Sequence, residues 1–379
     1  MLNPYTNFWH DKQVLITGHT GFKGSWLALW LKRLGAKVTG IALEPETLPN
    51  LFNLACVADV LEKSCICNIR NYDQVYRIIH DSKPEIIFHL AAQPLVRAGY
   101  DDPMLTFSTN IMGTAHILEA LRGLSSVKAA VMITTDKVYK NMEHIYPYRE
   151  DDPLGGYDPY SASKAASEIV ISSYRDSFLS NQGVAVASVR AGNVIGGGDW
   201  SKDRLIPDAI RAWQQKKTLH IRRPDAVRPW QHVLEPLAGY LILAEKLWHE
   251  PSLAGAYNLG PHTHEAATVQ EVIELASSQY ADADRIIHNN LNSLSHTKHT
   301  NIPDISYGNG TDGPHEAGLL ALEITKARNI LGFSPKWNLK QTVERTIIWY
   351  CNLVKGKNAS VLCEADIDDY EKESCQAYK

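Results

Sequence analysis

The chain has 379 residues, 44% hydrophobic and 21% charged, with a formal net charge of −4. That length holds one large or two medium domains, and the lack of any basic block excludes an electrostatic nucleic-acid binder. The first dozen residues have no apolar core of the kind a secretory signal needs, and no apolar run reaches the roughly 18 residues of a membrane span, so a soluble cytoplasmic protein is expected. Six unevenly placed cysteines do not read as a disulfide framework. Cys65 and Cys67 lack a partner pair at zinc-site spacing, so no metal is expected.

In chain order, residues 12–17 are a short, β-branched-rich run that ends at Gly18-His-Thr-Gly21-Phe22-Lys23-Gly24. An amphipathic stretch over 25–34 follows, stopped by Gly35, and a second apolar run covers 37–43. Strand, glycine turn, helix, strand is the unit that holds a dinucleotide. Its glycines permit a tight turn and let a pyrophosphate approach the N–H groups of the helix N-terminus, where the dipole favours anions. Glu44, about twenty residues past Gly24, stands where an acid accepts from the adenosine ribose and repels a 2′-phosphate, favouring NAD over NADP. Lys23 works against that preference, and a solvated loop acid has the same signature as Glu44.

The pattern repeats. Residues 63–69 read as a third strand, ending at Asn68 and Ile69, and 71–82 as a helix closed by Lys83-Pro84. Residues 85–90 read as a fourth strand, running into Leu90-Ala91-Ala92-Gln93-Pro94. Small residues there let backbone pass close to a cofactor, and a tight turn explains them equally well. Helical spacing over 104–124, a strand over 129–133, a helix over 160–178 and a strand over 184–189 complete the alternation. The expected class is α/β, a doubly wound parallel Rossmann sheet with right-handed crossovers. Beyond Arg190 the alternation fades into helices over 205–214, 233–249, 268–279, 324–331 and 339–353, separated by loops rich in Arg, Pro, His and Gly. The expected division is a dinucleotide domain over 1–190, to which some later segments return, and a smaller, mostly helical substrate domain over 191–354. A polar, acidic tail over 355–379 is expected to fray.

Two segments carry the chemistry. Tyr160 and Lys164 lie at i and i+4 near the start of a helical pattern, on one face. Thr134-Thr135-Asp136-Lys137 falls at the carboxyl end of the fifth strand, where ligand sites of open α/β sheets gather. A tyrosine acting as a base near neutrality needs its pKa brought from roughly 10 to about 7, some ~4 kcal/mol. A lysine ammonium ~4 Å away at an effective dielectric of ~20 supplies about 4 kcal/mol. The pair is therefore expected to yield a tyrosinate that takes a hydroxyl proton as hydride leaves. Thr135 either bonds the same hydroxyl or is a buried strand-end threonine.

Thr17-Gly18-x-x-Gly21-x-x-Gly24, Tyr160-x-x-x-Lys164 and Arg190-x-x-Asn193 together resemble the extended short-chain dehydrogenases/reductases that act on nucleotide-diphosphate sugars. Residues 18–26 (Gly-His-Thr-Gly-Phe-Lys-Gly-Ser-Trp), 89–94 (His-Leu-Ala-Ala-Gln-Pro) and 134–137 resemble the branch of that family that dehydrates CDP-glucose. So do 192–200 (Gly-Asn-Val-Ile-Gly-Gly-Gly-Asp-Trp) and 228–232 (Arg-Pro-Trp-Gln-His). The resemblance spans about 9–350.

The resemblance implies NAD, held by Gly18, Gly21, Phe22, Lys23, Gly24, Glu44, Asn68 and Ile69, then by Leu90, Ala91, Ala92, Thr134, Tyr160 and Lys164. It implies a hydro-lyase acting on CDP-glucose: oxidation at C4, removal of the acidified C5 proton, loss of the C6 hydroxyl, and hydride return to C6. Asp136 is then the acid at the departing hydroxyl. Lys137, where the dTDP-glucose relatives carry Glu, is the base at C5. The mechanism demands a protonated Asp136 beside a free Lys137 amine, whereas a charged pair shifts both pKa values the wrong way. Substrate contacts fall to Asn193, Arg228, Arg97 and Gln93, with Arg204 and Arg222 behind them. His315-Glu316 resembles a family segment of unassigned role. His262, His264, His296 and His299 read as loop histidines. A homodimer is implied through the helices over 104–124 and 160–178, with a tetramer left open, in a cytoplasmic enzyme of deoxysugar supply such as that for lipopolysaccharide O-antigen. The alternatives are a related epimerase, a dehydratase for another base, or a non-catalytic NAD-binding regulator. The last has no need for both Tyr160 and Lys164.

Overall fold

The computed structural model describes residues 6–291, 304–310 and 317–376. The aliphatic runs become a seven-stranded, fully parallel sheet. Its strands are β1 (Gln13–Thr17), β2 (Lys37–Ala42), β3 (Lys63–Ile66), β4 (Ile86–His89), β5 (Ala129–Ile133), β6 (Ala185–Ala191) and β7 (Ala256–Leu259). They lie in the order β3-β2-β1-β4-β5-β6-β7. Every residue of β4, β5 and β6 is buried, as strands covered by helices on both faces must be. Alternate residues serve two cores: Val14 and Ile16 face one, Leu15 the other. The first core takes helix α1 (Phe22–Arg33), α2 (Leu234–His249) and α3 (Leu339–Val354).

Three features depart from expectation. β7, a four-residue strand between helical stretches, was too short and mixed to stand out as a strand. The stretch over 104–124 is not one continuous α-helix: Pro103–Phe107 and Gly113–Ala120 flank a π turn at Ser108–Met112. The third is that the stretch expected to fray is helical over Ala359–Gln376. Helix α4 (Ala359–Gln376) lies on the dinucleotide helix α1. Ala359, Leu362, Cys363, Ile367 and Tyr370 recur at helical spacing and are buried, a stripe hidden in the sequence by its acidic surroundings. Glu371 accepts from Trp30 Nε1 (2.9 Å) and Arg33 Nε (3.2 Å), and Asp368 pairs with Arg33.

Tyr370 also donates to Glu235 Oε2 (2.7 Å), whose other oxygen accepts from Lys336 N (3.0 Å) and Trp337 N (2.8 Å). Burial pushes Glu235 up to about 7, against 4.5 for a free glutamate. Because the folded value is the higher one, this group's contribution is fully present below about 4.5 and is lost as pH rises through about 7, on the order of 3 kcal/mol. Glu235→Gln keeps the acceptor for both amides and is expected to flatten that dependence. Melting temperatures at pH 5 and pH 8 that fall equally in both proteins would refute the assignment.

Candidate active site

The strand order reverses between β1 and β4, which opens a crevice at the carboxyl ends of the strands. The glycine loop lies there. Gly18 has φ +81° and donates to Ile41 O (2.7 Å), and a Cβ on it would meet Ala91 N at 2.8 Å. A Cβ on Gly24 would stand 2.1 Å from Gly18 O, so the turn closes only with glycine. Thr17 ties this loop to the next, since its carbonyl accepts from Leu90 N (3.1 Å) and its hydroxyl from Ala91 N (3.1 Å). No side chain caps α1 at Gly21, so its leading N–H groups suit an anion. With Lys23 in the wall of the adjoining cavity, this donor set fits a dinucleotide.

The other expected cofactor residues lie at the same sheet edge. Glu44 is exposed, two residues past β2. Asn68 accepts from Arg70 N (3.0 Å), and Ile69 is buried, its carbonyl 2.9 Å from His116 Nδ1. Ala92 is half-buried just beyond β4.

A cavity of about 760 Å³ opens beside the loop. Its wall includes Phe22, Lys23, Thr134, Thr135, Asp136, Lys137 and Tyr160, together with Arg97, Asn193, Arg204, Arg222 and Arg228. Gln93 is not in the wall: its amide donates to Thr106 Oγ1 (2.8 Å) and accepts from Leu95 N (2.5 Å), so it shapes the loop. Three of these arginines are held by the protein. Arg204 pairs with Asp199 (2.9 Å), Arg97 with Asp203 (2.9 Å), and Arg228 donates to the carbonyls of Val227, Ala317 and Gly318. His296, His299 and His315-Glu316 lie outside the described residues. His262 and His264 stack ring on ring, and among the described residues no cluster of His, Cys, Asp or Glu is arranged for a metal.

Helix α5 (Pro159–Tyr174) carries Tyr160 and Lys164. The chain begins it there because Asp158 Oδ1 accepts from Ser161 N (3.0 Å), Ser161 Oγ accepts from Asp158 N (3.2 Å), and Pro159 occupies the first turn. Asp136 starts a one-turn 3-10 helix directly after β5 and is 2% exposed. Thr135 Oγ1 donates to its Oδ1 (3.0 Å), while Oδ2 is buried with no partner. Burial raises the Asp136 pKa, and Lys137, Thr135 and Arg228 pull the other way with less effect. The shift is in the direction of the protonated carboxyl.

The expected activation of Tyr160 by Lys164 is not what the protein atoms produce. Burial pushes Tyr160 up to about 12, with Thr135 and Arg204 opposing. Lys164 is itself brought down to about 8 by burial, and its amine donates to Ile133 O (3.1 Å), behind the cavity wall. Desolvation outweighs the pairwise attraction that spacing alone suggested. Lys23 is likewise lowered to about 7, by burial and then by Arg204 and Lys164.

Sequence reasoning passed over Glu168, a buried acid under the site. It accepts from Thr134 Oγ1, from Ser188 Oγ (2.7 Å) and from Arg190 Nη2 (2.9 Å). The available signal was its position four residues after Lys164, on the same helix face.

Residues 15–346 match the family model described as GDP-mannose 4,6 dehydratase. The chain is 44% identical over 371 residues to the CDP-glucose 4,6-dehydratase of Salmonella typhimurium, covering 96% of this chain and 97% of that one. It is 25% identical to the dTDP-D-glucose 4,6-dehydratase of Dictyostelium discoideum, over 95% of this chain and 85% of the other. The fold matches the crystal structure of a Bacillus anthracis dTDP-glucose 4,6-dehydratase in complex with NAD, with TM-score 0.69, 23% identity, and 89% and 96% of the two chains covered. It also matches a Bacillus cereus UDP-glucuronic acid 4-epimerase, with TM-score 0.71, 22% identity, and 90% and 99% covered. By family match and by full-length identity, the chain belongs to the GDP-mannose 4,6-dehydratase family.

Proposed function

We propose that this protein is an NAD-dependent hydro-lyase that converts CDP-D-glucose to CDP-4-dehydro-6-deoxy-D-glucose. The choice of substrate rests on the 44% identity, over 96% of the chain, to a CDP-glucose 4,6-dehydratase. The choice of reaction rests on one observation in the site: a buried carboxyl, Asp136, with an unpartnered oxygen in the wall that also holds Tyr160. An epimerase has no departing hydroxyl to protonate. NAD, when bound, supplies a hydride acceptor at C4 and a donor at C6.

The chain's own residues do the rest. Thr135 and Tyr160 hold the C4 hydroxyl, and Tyr160 receives its proton as the tyrosinate, a form that burial opposes in the protein alone and that the positive charge of a bound nicotinamide would favour. Lys137, half-buried beside Asp136, takes the C5 proton, and Asp136 gives its proton to the C6 oxygen as water departs. Arg228, Arg204, Arg222 and Arg97, with Asn193, hold the diphosphate and the nucleoside. Burial of Asp136 raises its pKa, the direction an acid at the departing hydroxyl requires.

The test is an incubation with NAD and each of CDP-, dTDP-, GDP- and UDP-glucose, read as the alkaline absorbance of a 4-keto sugar. Turnover of CDP-glucose is expected, and turnover of dTDP-glucose alone would sink the assignment. No helix among the described residues is long and apolar enough to cross a membrane, which agrees with work in the cytoplasm supplying deoxysugars. The active form is a homodimer. In its support, Met104 (74% exposed), Met112 (51%) and Ile169 (61%) place apolar side chains outward on two neighbouring helical stretches. Sedimentation at the mass of one 42.3 kDa chain would refute it.

A further inference from the structure

We infer that Glu168 is a positioning residue of this site, its carboxylate clamping the catalytic strand end to helix α5 and facing the Lys164 amine one turn away. The inference rests on the reading of Tyr160 and Lys164 as redox machinery, and it concerns a residue outside the cavity wall.

The geometry is that of a buried hub. Glu168 is 5% exposed, and its two oxygens receive three donors from two strands. Thr134, next to Thr135, comes from the end of β5, while Ser188 and Arg190 come from β6. Arg190 continues the chain, with Nη1 donating to Tyr139 Oη (3.0 Å) and to Glu150 O (2.9 Å). Tyr139 in turn donates to Asn258 Oδ1 (2.6 Å) on β7. One carboxylate thus fixes the helix bearing Tyr160 and Lys164 against the strand that presents Thr135, Asp136 and Lys137. A hydrophobic contact would pack these elements but would not set their register, whereas three directed bonds do.

The charge has a second consequence. Among the described residues the charged and titratable groups around Lys164 include Tyr160 and Glu168 on its own helix, Lys23 on α1, His89 on β4 and, through Glu168, Arg190 on β6. Lys23 and burial favour the free amine, and Glu168 opposes them. The acid therefore keeps Lys164 cationic near neutrality, as a partner for a tyrosinate.

Two variants separate charge from shape. Glu168→Gln retains the size and an acceptor for Arg190, while Thr134 turns its hydroxyl to Val189 O, 3.2 Å away. Thr134→Val removes one bond and no charge. The readout is the titration of Lys164 by NMR of ε-labelled lysine, assigned with Lys164→Arg, which needs neither cofactor nor substrate. In E168Q the midpoint is expected to fall by about one pH unit, whereas in T134V it stays in place. An unmoved midpoint in E168Q overturns the inference. Breaking the pair leaves Arg190 buried without its anion, so Glu168→Gln/Arg190→Gln, which neutralises both halves, is the second variant should E168Q not fold. A smaller fall is expected there, because loss of the Arg190 cation offsets part of the lost carboxylate charge, and a midpoint that rises overturns the inference. Failure of CDP-glucose turnover by the unaltered protein would instead strike the proposed function and leave this titration intact.

Discussion

Replacing Asp136 by Asn is expected to cut turnover by about 10²–10⁴ while raising the melting temperature at neutral and alkaline pH. The loss follows from the role: an amide holds the same space but has no acidic proton for the C6 oxygen. Oxidation at C4 does not use that proton, so a 4-keto sugar that keeps its C6 hydroxyl should be found by mass spectrometry. Lys137→Ala is expected to fail one step earlier, without solvent exchange at C5, although the cofactor still binds.

The stability gain follows from burial. The folded pKa of Asp136 lies above the free value of 3.8, so the native state holds a proton more tightly than the unfolded chain. The stability tied to that proton is present below about 3.8 and is lost as pH rises through the folded value. A side-chain amide does not titrate in this range, so the advantage of D136N grows as pH rises through the folded value. Activity and stability would trade against each other at one residue, as is common where a site keeps a strained or costly group. A D136N protein that melts below the unaltered chain at pH 8 would show that burial of the carboxylate is not the controlling cost.

Gly24→Ala is expected to destabilise the fold by about 3 kcal/mol or more. The obstacle is main chain: the new methyl group would stand 2.1 Å from Gly18 O and 2.8 Å from His19 Cα. Neither is the end of a flexible side chain, so relief requires the loop to leave β1 or the helix to lose its first turn. Gly21→Ala is the control. Its nearest neighbour would be Gly18 O at 3.4 Å, an ordinary contact, so the melt should be preserved while NAD affinity, measured by calorimetry, falls. Equal melting of G24A and the unaltered chain would refute the packing account.

Local patterns were legible in the sequence where one periodic signal dominated. The runs that became β4 and β5 were readable because strands buried on both faces are near-continuously apolar. Gly18 and Gly24 were readable because no other residue type closes that turn. Tyr160 and Lys164 were readable because a helix repeats every 3.6 residues and Asp158-Pro159 marks its start. The C-terminal helix was misread, since its narrow stripe from Ala359 to Tyr370 gains meaning only against Trp30, Arg33 and Glu235, which lie far away in the chain.

Sequence by itself determined the alternation of elements, the glycine loop and the residue types that can carry hydride and proton transfer, because these depend on local periodicity and steric exclusion. Tertiary structure alone decided the charge of the site. Whether Asp136 holds its proton, Tyr160 is held high, or Lys164 is kept cationic depends on how far each is taken from water and on which distant charge faces it. Both quantities are set by packing between β5, β6 and α5, and no spacing along the chain encodes them.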